Sequence, residues 1–163
     1  MEEIGVEENG SSLCRYIKEK LPSCLERLET EDTPLPMPEK VLFGVADVSR
    51  HEQKVLLAIV PYSIEESEGT IGDAEQNQKF VVGIVCRGRA YDVLIRQMCR
   101  YARAVAEVLR GGWSLGGAVL DVAVNRTDFY PDAGTVEKQM TVAEIEVTVR
   151  TEGGMPSETD PFE

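Results

Sequence analysis

The 163-residue sequence has one histidine, one tryptophan and four cysteines (14, 24, 86 and 99), with no Cys-x-x-Cys pair among them. So few soft ligands at such spacings make a poor zinc site. His51 lies in a polar stretch with Ser49, Arg50, Glu52 and Gln53 that reads as a hairpin turn. It is expected at the surface rather than as the base of an activated nucleophile. No apolar run approaches the ~20 residues that span a bilayer, and the first residues (Glu2, Glu3, Glu7, Glu8) lack the basic start of a signal peptide. No membrane association is expected, and the cysteines are read as reduced, mostly buried thiols in a cytoplasmic setting. Basic residues are also scarce, 17 against 29 acids for a net charge of −12. That balance argues against binding free nucleic acid, which needs Lys and Arg to neutralise phosphates, and favours partners with basic surfaces.

Hydrophobic residues make up 42% and charged residues 28% of the chain, values of an ordinary globular domain. The length suits one domain with a real core. Residues 1–10 are acidic without periodicity and residues 153–163 lack an apolar face, so both ends are expected to be mobile around a single domain at 11–152. Ser11 and Ser12 can cap a helix, and Leu13, Ile17, Leu21, Leu25 and Leu28 recur on one helical face. Pro22 interrupts that pattern and should kink or split the helix. Pro34, Pro36 and Pro38 mark an extended connector.

Strands are expected at Val41–Val48, Lys54–Pro61 and Lys79–Cys86. The third is apolar on both faces, as in a central strand or one covered by a helix or a neighbouring subunit. The polar segment Glu65–Gln78 reads as a long exposed loop. A helix from Ala90 to Arg110 follows, with an apolar stripe of Tyr91, Leu94, Ile95, Met98, Ala102, Val105 and Leu109 and a Gly111-Gly112 stop. Two more strands are expected at Ala118–Asn125 and Met140–Thr151, joined by a returning loop at 126–139. In the last, Ala143, Ile145, Val147 and Val149 point inward and Glu144, Glu146, Thr148 and Arg150 outward. The order predicts an α+β fold: an antiparallel or mixed sheet packed on one side by an N-terminal helix and one long central helix.

Catalytic signals are weak. Asp121 and Asp128, with Asn125 between them, could be drawn as an acid–base or metal cluster, but strand alternation accounts for Asp121 and Asn125 as a solvent face. The glycine-rich run at 111–117 follows a helix instead of preceding one and lacks a Gly-Lys-Ser/Thr, so it is no phosphate cradle. No catalytic residue, cofactor or metal is expected. The informative irregularity is charge placement. From Arg87 to Arg110 six arginines (87, 89, 96, 100, 103, 110) face only Asp92 and Glu107, a net +4, which leaves −16 for the rest. Arg96, Arg100 and Arg103 fall at i, i+4 and i+7, one basic stripe along the long helix. The stripe reads either as a solvated helix face paired with local acids or as a docking surface. In the second reading Arg87, Arg89 and Trp113, unless the tryptophan tucks over the end of the core, join it as the candidate interface, since Arg and Trp are enriched at contacts and a head-to-tail contact between unlike patches generates a ring.

The helix Leu13-x-x-x-Ile17-x-x-x-Leu21, the strand Val55–Pro61, the run Phe80-Val81-Val82-Gly83-Ile84-Val85-Cys86 leading into a helix at Tyr91 and Leu94, then Tyr101-Ala102-Arg103-Ala104-Val105, a strand near Val122 and the closing Ala143–Val149 follow a familiar order. Over about residues 11–152 this layout resembles the tail terminator, or tail completion, proteins of long-tailed bacteriophages and prophages. The resemblance implies a virion protein assembled in the host cytoplasm. It forms a homo-oligomeric ring, commonly a hexamer, at the head-proximal end of the tail tube. There it stops tube polymerisation and meets the tail tube protein and the head–tail connector protein. The competing reading is a non-catalytic bacterial α+β module that binds a protein or small ligand in a closed pocket. An enzyme using Asp121 or Asp128 ranks last.

Overall fold

The computed structural model describes residues 5–44, 54–68, 74–112, 115, 119–135 and 138–152. The elements run α1 (Val6–Leu28), β1 (Lys40–Phe43), β2 (Val55–Glu68), β3 (Ala74–Gly88), α2 (Tyr91–Gly111), β4 (Asp121–Tyr130) and β5 (Gln139–Glu152). They form one five-stranded sheet in the order β1-β2-β3-β5-β4. β1 pairs with β2 in parallel and every other pairing is antiparallel, so the sheet is mixed.

Both helices pack on the same sheet face. Leu13, Ile17, Leu21 and Leu25 of α1 and Leu94, Met98, Tyr101, Val105 and Leu109 of α2 meet Leu57, Ile59, Phe80, Val82, Ile84, Ala143, Ile145, Val147 and Val149 in one core. Strict alternation puts every second residue of β5 from Thr141 to Thr151 inside, as the sequence leads one to expect. β3 is the middle strand of the five, one of the placements that its two apolar faces suggest.

Three differences from the sequence expectation have physical causes. First, α1 begins at Val6, not Ser11, with Gly5 at the cap position and no side-chain cap. Asn9 and Gly10 are buried: the Asn9 amide donates to Gln78 Oε1 at 2.7 Å, and Gly10 lies against the Phe43 ring, which a Cβ there would meet at 2.1 Å. Second, α1 runs through Pro22 as one helix. The apolar stripe continues on both sides of the proline, and burying it outweighs the ~3 kcal/mol of an interior proline. Third, most of Glu65–Gln78 is strand: β2 continues to Glu68 and β3 starts at Ala74, paired as far as Glu68↔Ala74, with β5 alongside to Glu152. Likewise Arg126–Tyr130, expected in a loop, extends β4 beyond a bulge between Val124 and Arg126. A strand with polar residues on both faces has no alternation to reveal it.

The thiols split two and two. Cys14 and Cys86 are buried and Cys24 is half-buried, whereas Cys99 is exposed, so burial is less complete than the expected mostly buried set. Burial pushes the Cys86 thiol up to about 12 and raises Cys14 as well. A thiol reagent at pH 8 is therefore expected to modify Cys99 rapidly, Cys24 more slowly, and Cys14 and Cys86 only on unfolding, as read by peptide mass spectrometry.

Candidate assembly surfaces

The arginine face of α2 is largely committed within the chain. Arg96 Nε donates to Thr33 Oγ1 at 2.9 Å, and Arg100 Nη1 donates to Thr30 Oγ1 at 2.6 Å and to the Leu28 carbonyl at 3.3 Å. Between them Gln97 donates to the Pro34 carbonyl at 2.7 Å, and the Tyr101 hydroxyl donates to the Pro36 carbonyl. This side of α2 thus clamps the proline-rich connector, whose carbonyls have no ladder of their own. Arg103 pairs with Glu107 at 3.0 Å, and Glu107 also accepts from Arg27, which ties α1 to α2. The two guanidinium groups, Arg27 first, hold the Glu107 carboxyl below the usual range. The stripe read from sequence exists as a row, but Arg96 and Arg100 serve the connector. Arg89, Arg103 and Arg110 remain exposed, Arg87 is half-buried on β3, and Trp113 lies outside the described residues.

The carboxylates of β4 are not brought together. Asp121 accepts from Arg150 at 2.5 Å and Asp128 from Arg126 at 3.0 Å, each a separate surface ion pair, while Asn125 at the bulge accepts from Thr148 at 2.6 Å. Among the described residues no group of three or more His, Cys, Asp or Glu side chains is placed to hold a metal. The run Gly112-Trp113-Ser114-Leu115-Gly116 matches the Gly-x-Ser-x-Gly pattern of a nucleophile elbow. That elbow needs a strand-to-helix turn, whereas this run leaves α2 toward β4. Ser114 and His51 lie outside the described residues.

Two surfaces are better defined, one of them at the segment 65–78 that was expected as an exposed loop. The first is the distal β2–β3 hairpin. Ile64, on the helix-side face, is 49% exposed although its partner Gln78 is buried under α1, so β2 is left uncovered there, and four further residues of β2 extend about 13 Å beyond it. From Tyr62 to Gln78 the chain carries five carboxylates (Glu65, Glu66, Glu68, Asp73, Glu75) and no Lys or Arg. Lys79 and Arg150, paired with Glu65 at 3.1 Å and Glu75 at 3.5 Å, offset them only in part. The second is a groove of about 350 Å³ between α1 and the edge strand β1, lined by Ser11, Cys14, Arg15, Lys18, Val41 and Phe43. Ser11, Arg15 and Lys18 follow one another at i, i+4 and i+7 on the exposed side of α1. Those basic positions and the carboxylate run were the available signals; their meaning depended on seeing a strand where a loop was expected.

The sheet face away from the helices is apolar toward β2 and acidic toward β5. Leu56, Ala58 and Val85 are buried there, and Glu144 and Glu146 follow across the sheet. Tyr62, at a register shift in β2, donates to Glu146, and desolvation followed by that bond pushes its hydroxyl up to about 12.

The fold has solved counterparts. A chain in the virion of a native gene transfer agent (GTA) particle superposes with a TM-score of 0.54 at 13% identity, covering 84% of this chain and 95% of that one. The α+β architecture is shared along nearly the whole of that virion chain. A structure of the sheath/tube terminator of an extracellular contractile injection system (PVC), in its extended state, aligns at 12% identity over 85% of this chain and 56% of that one. Its TM-score is 0.37, too low to define a common fold. No family model and no curated protein matches the sequence.

Proposed function

We propose that this chain is a structural subunit of a phage-type particle, a tail terminator that assembles with copies of itself into a ring, commonly a hexamer. The ring sits at the head-proximal end of the tail tube, ends tube polymerisation and joins the head connector; assembly takes place in the bacterial cytoplasm. The observation that carries this reading is the fold likeness to a virion chain over 95% of that chain's length. It agrees with the resemblance of the element order to tail terminators. Unlike charged surfaces on one small chain also support it, because a contact between unlike patches closes into a ring when the rotation permits.

The test is tube growth. Added in excess to polymerising tail tube protein, the purified chain is expected to shorten the tubes and to appear as a cap at one end in negative-stain electron microscopy. Tubes of unchanged length with bare ends would count against the proposal.

A further inference from the structure

We infer that the acidic β2–β3 hairpin of one copy docks into the α1/β1 groove of the next copy. The inference rests on the reading of the chain as a self-assembling subunit, and it names the two surfaces that meet.

The groove is basic at its rim and apolar at its floor. Arg15 and Lys18 are exposed and form no ion pair or hydrogen bond with another described residue. Val41 and Phe43 point toward α1, in register with the core residues Leu57 and Ile59. The Phe43 ring is held in place because Gly10 has no side chain to displace it, yet 37% of the residue stays open to solvent. The hairpin presents the complement: Glu66 is exposed on the same face as Ile64, and Glu65, on the opposite face, is exposed and paired with Lys79 at 3.1 Å. An exposed aliphatic side chain with a carboxylate next to it on the same face fits an exposed ring flanked by bases.

The hairpin cannot fill the groove of its own chain, and in a self-assembling subunit the occupant is a second copy. Phe43 is paired with Ile59, and Ile64 lies five residues further along the same strand, about 16 Å away. β5 stiffens the hairpin from its other side to Glu75↔Glu152, so the arm is not free to fold back onto its own groove. The two surfaces sit at different places on one chain, so the contact is heterologous and propagates head to tail.

Charge reversal tests the pairing. One variant carries Arg15→Glu and Lys18→Glu, the other Glu65→Lys and Glu66→Lys; circular dichroism and thermal melting confirm that each is folded. Light scattering coupled to gel filtration then reads self-association over a concentration series reaching the millimolar range. Each variant alone faces like charge with like charge and is expected to weaken association by about 100-fold or more. Mixed in equal amounts, the two regain it, since each groove then meets a hairpin of opposite sign, and the assemblies contain the variants in equal numbers. A photo-crosslinker in place of Ile64 in the wild-type chain should attach to the α1 peptide holding Arg15 and Lys18 of another copy. Wild-type protein that stays monomeric throughout overturns the inference. So do variants that associate like wild type, a mixture that fails to recover, and crosslinks to any other surface. Tube capping is measured separately: capping without this contact refutes the inference and leaves the proposed function standing.

Discussion

Replacing Tyr101 by alanine is expected to remove about 4 kcal/mol of folding stability, the range found when a buried aromatic is truncated and its cavity stays open. Tyr101 is fully buried where α2 meets the sheet and the connector. Its hydroxyl also fixes the connector by donating to the Pro36 carbonyl. Pro36 is exposed, so water can replace that donor. Tyr101→Phe should therefore cost only about 1 kcal/mol. Against a typical total of 5–15 kcal/mol the alanine variant loses a large share, and its melting temperature should fall by roughly 8–16 °C. Urea unfolding followed by circular dichroism separates the two variants. Equal losses would mean that the hydrogen bond, not the ring, is the main contribution.

The same residue gives a pH signature. Desolvation raises the Tyr101 phenol above its ordinary value of 10.0 in the folded chain. A group whose folded pKa is raised contributes stability that is complete below the unfolded pKa and is lost as pH rises toward the folded one. Cys86, up to about 12 through burial, acts in the same direction from its ordinary 9.0. Stability is thus expected to decline above pH 9–10. Tyr101→Phe should make that decline shallower, as read from urea midpoints across the alkaline range.

Pro22→Ala is expected to act with the opposite sign and to stabilise the protein by about 2 kcal/mol. Proline in a helix interior costs ~3 kcal/mol because it lacks an N–H and its ring crowds the carbonyl four residues back. Pro22 lies well inside α1, so the Lys18 carbonyl has no i+4 donor. Pro22 itself is exposed and packs against none of the core, so little contact is lost with its ring. The gain is reduced by up to ~1 kcal/mol because alanine leaves the unfolded chain freer than proline does. A rise in urea midpoint at constant slope would establish the gain. A fall would show that the bend imposed by proline is needed for α1 to follow the sheet.

A segment was legible in the sequence to the extent that it buries one apolar side. The α2 stripe was legible because its residues bury on one side, yet it omitted Tyr101, whose polar tip is accommodated only by the connector carbonyl. The arginine row was legible as spacing. Its role was not, since the acceptors on Leu28, Thr30 and Thr33 lie 63 to 72 residues away. The hairpin arm and the α1 start at Val6 were hidden for the same kind of reason: cross-strand hydrogen bonding and the Asn9–Gln78 and Gly10–Phe43 contacts hold them, and none of these has a periodic signature.

By itself the sequence determined the α+β class, the two helices and the inward residues of β5, because burial imposes periods of 3.6 and 2 on apolar residues wherever an element has one dry face. Only the tertiary structure decided which charges are spent within the chain and which face outward. Ion pairs and hydrogen bonds depend on the positions of residues distant in sequence, and no local pattern encodes them. The exposed arginines of α2 looked like the contact surface, and folding turned two of them onto the connector. It left Arg15, Lys18 and Glu66 open instead, with no ion pair to another described residue.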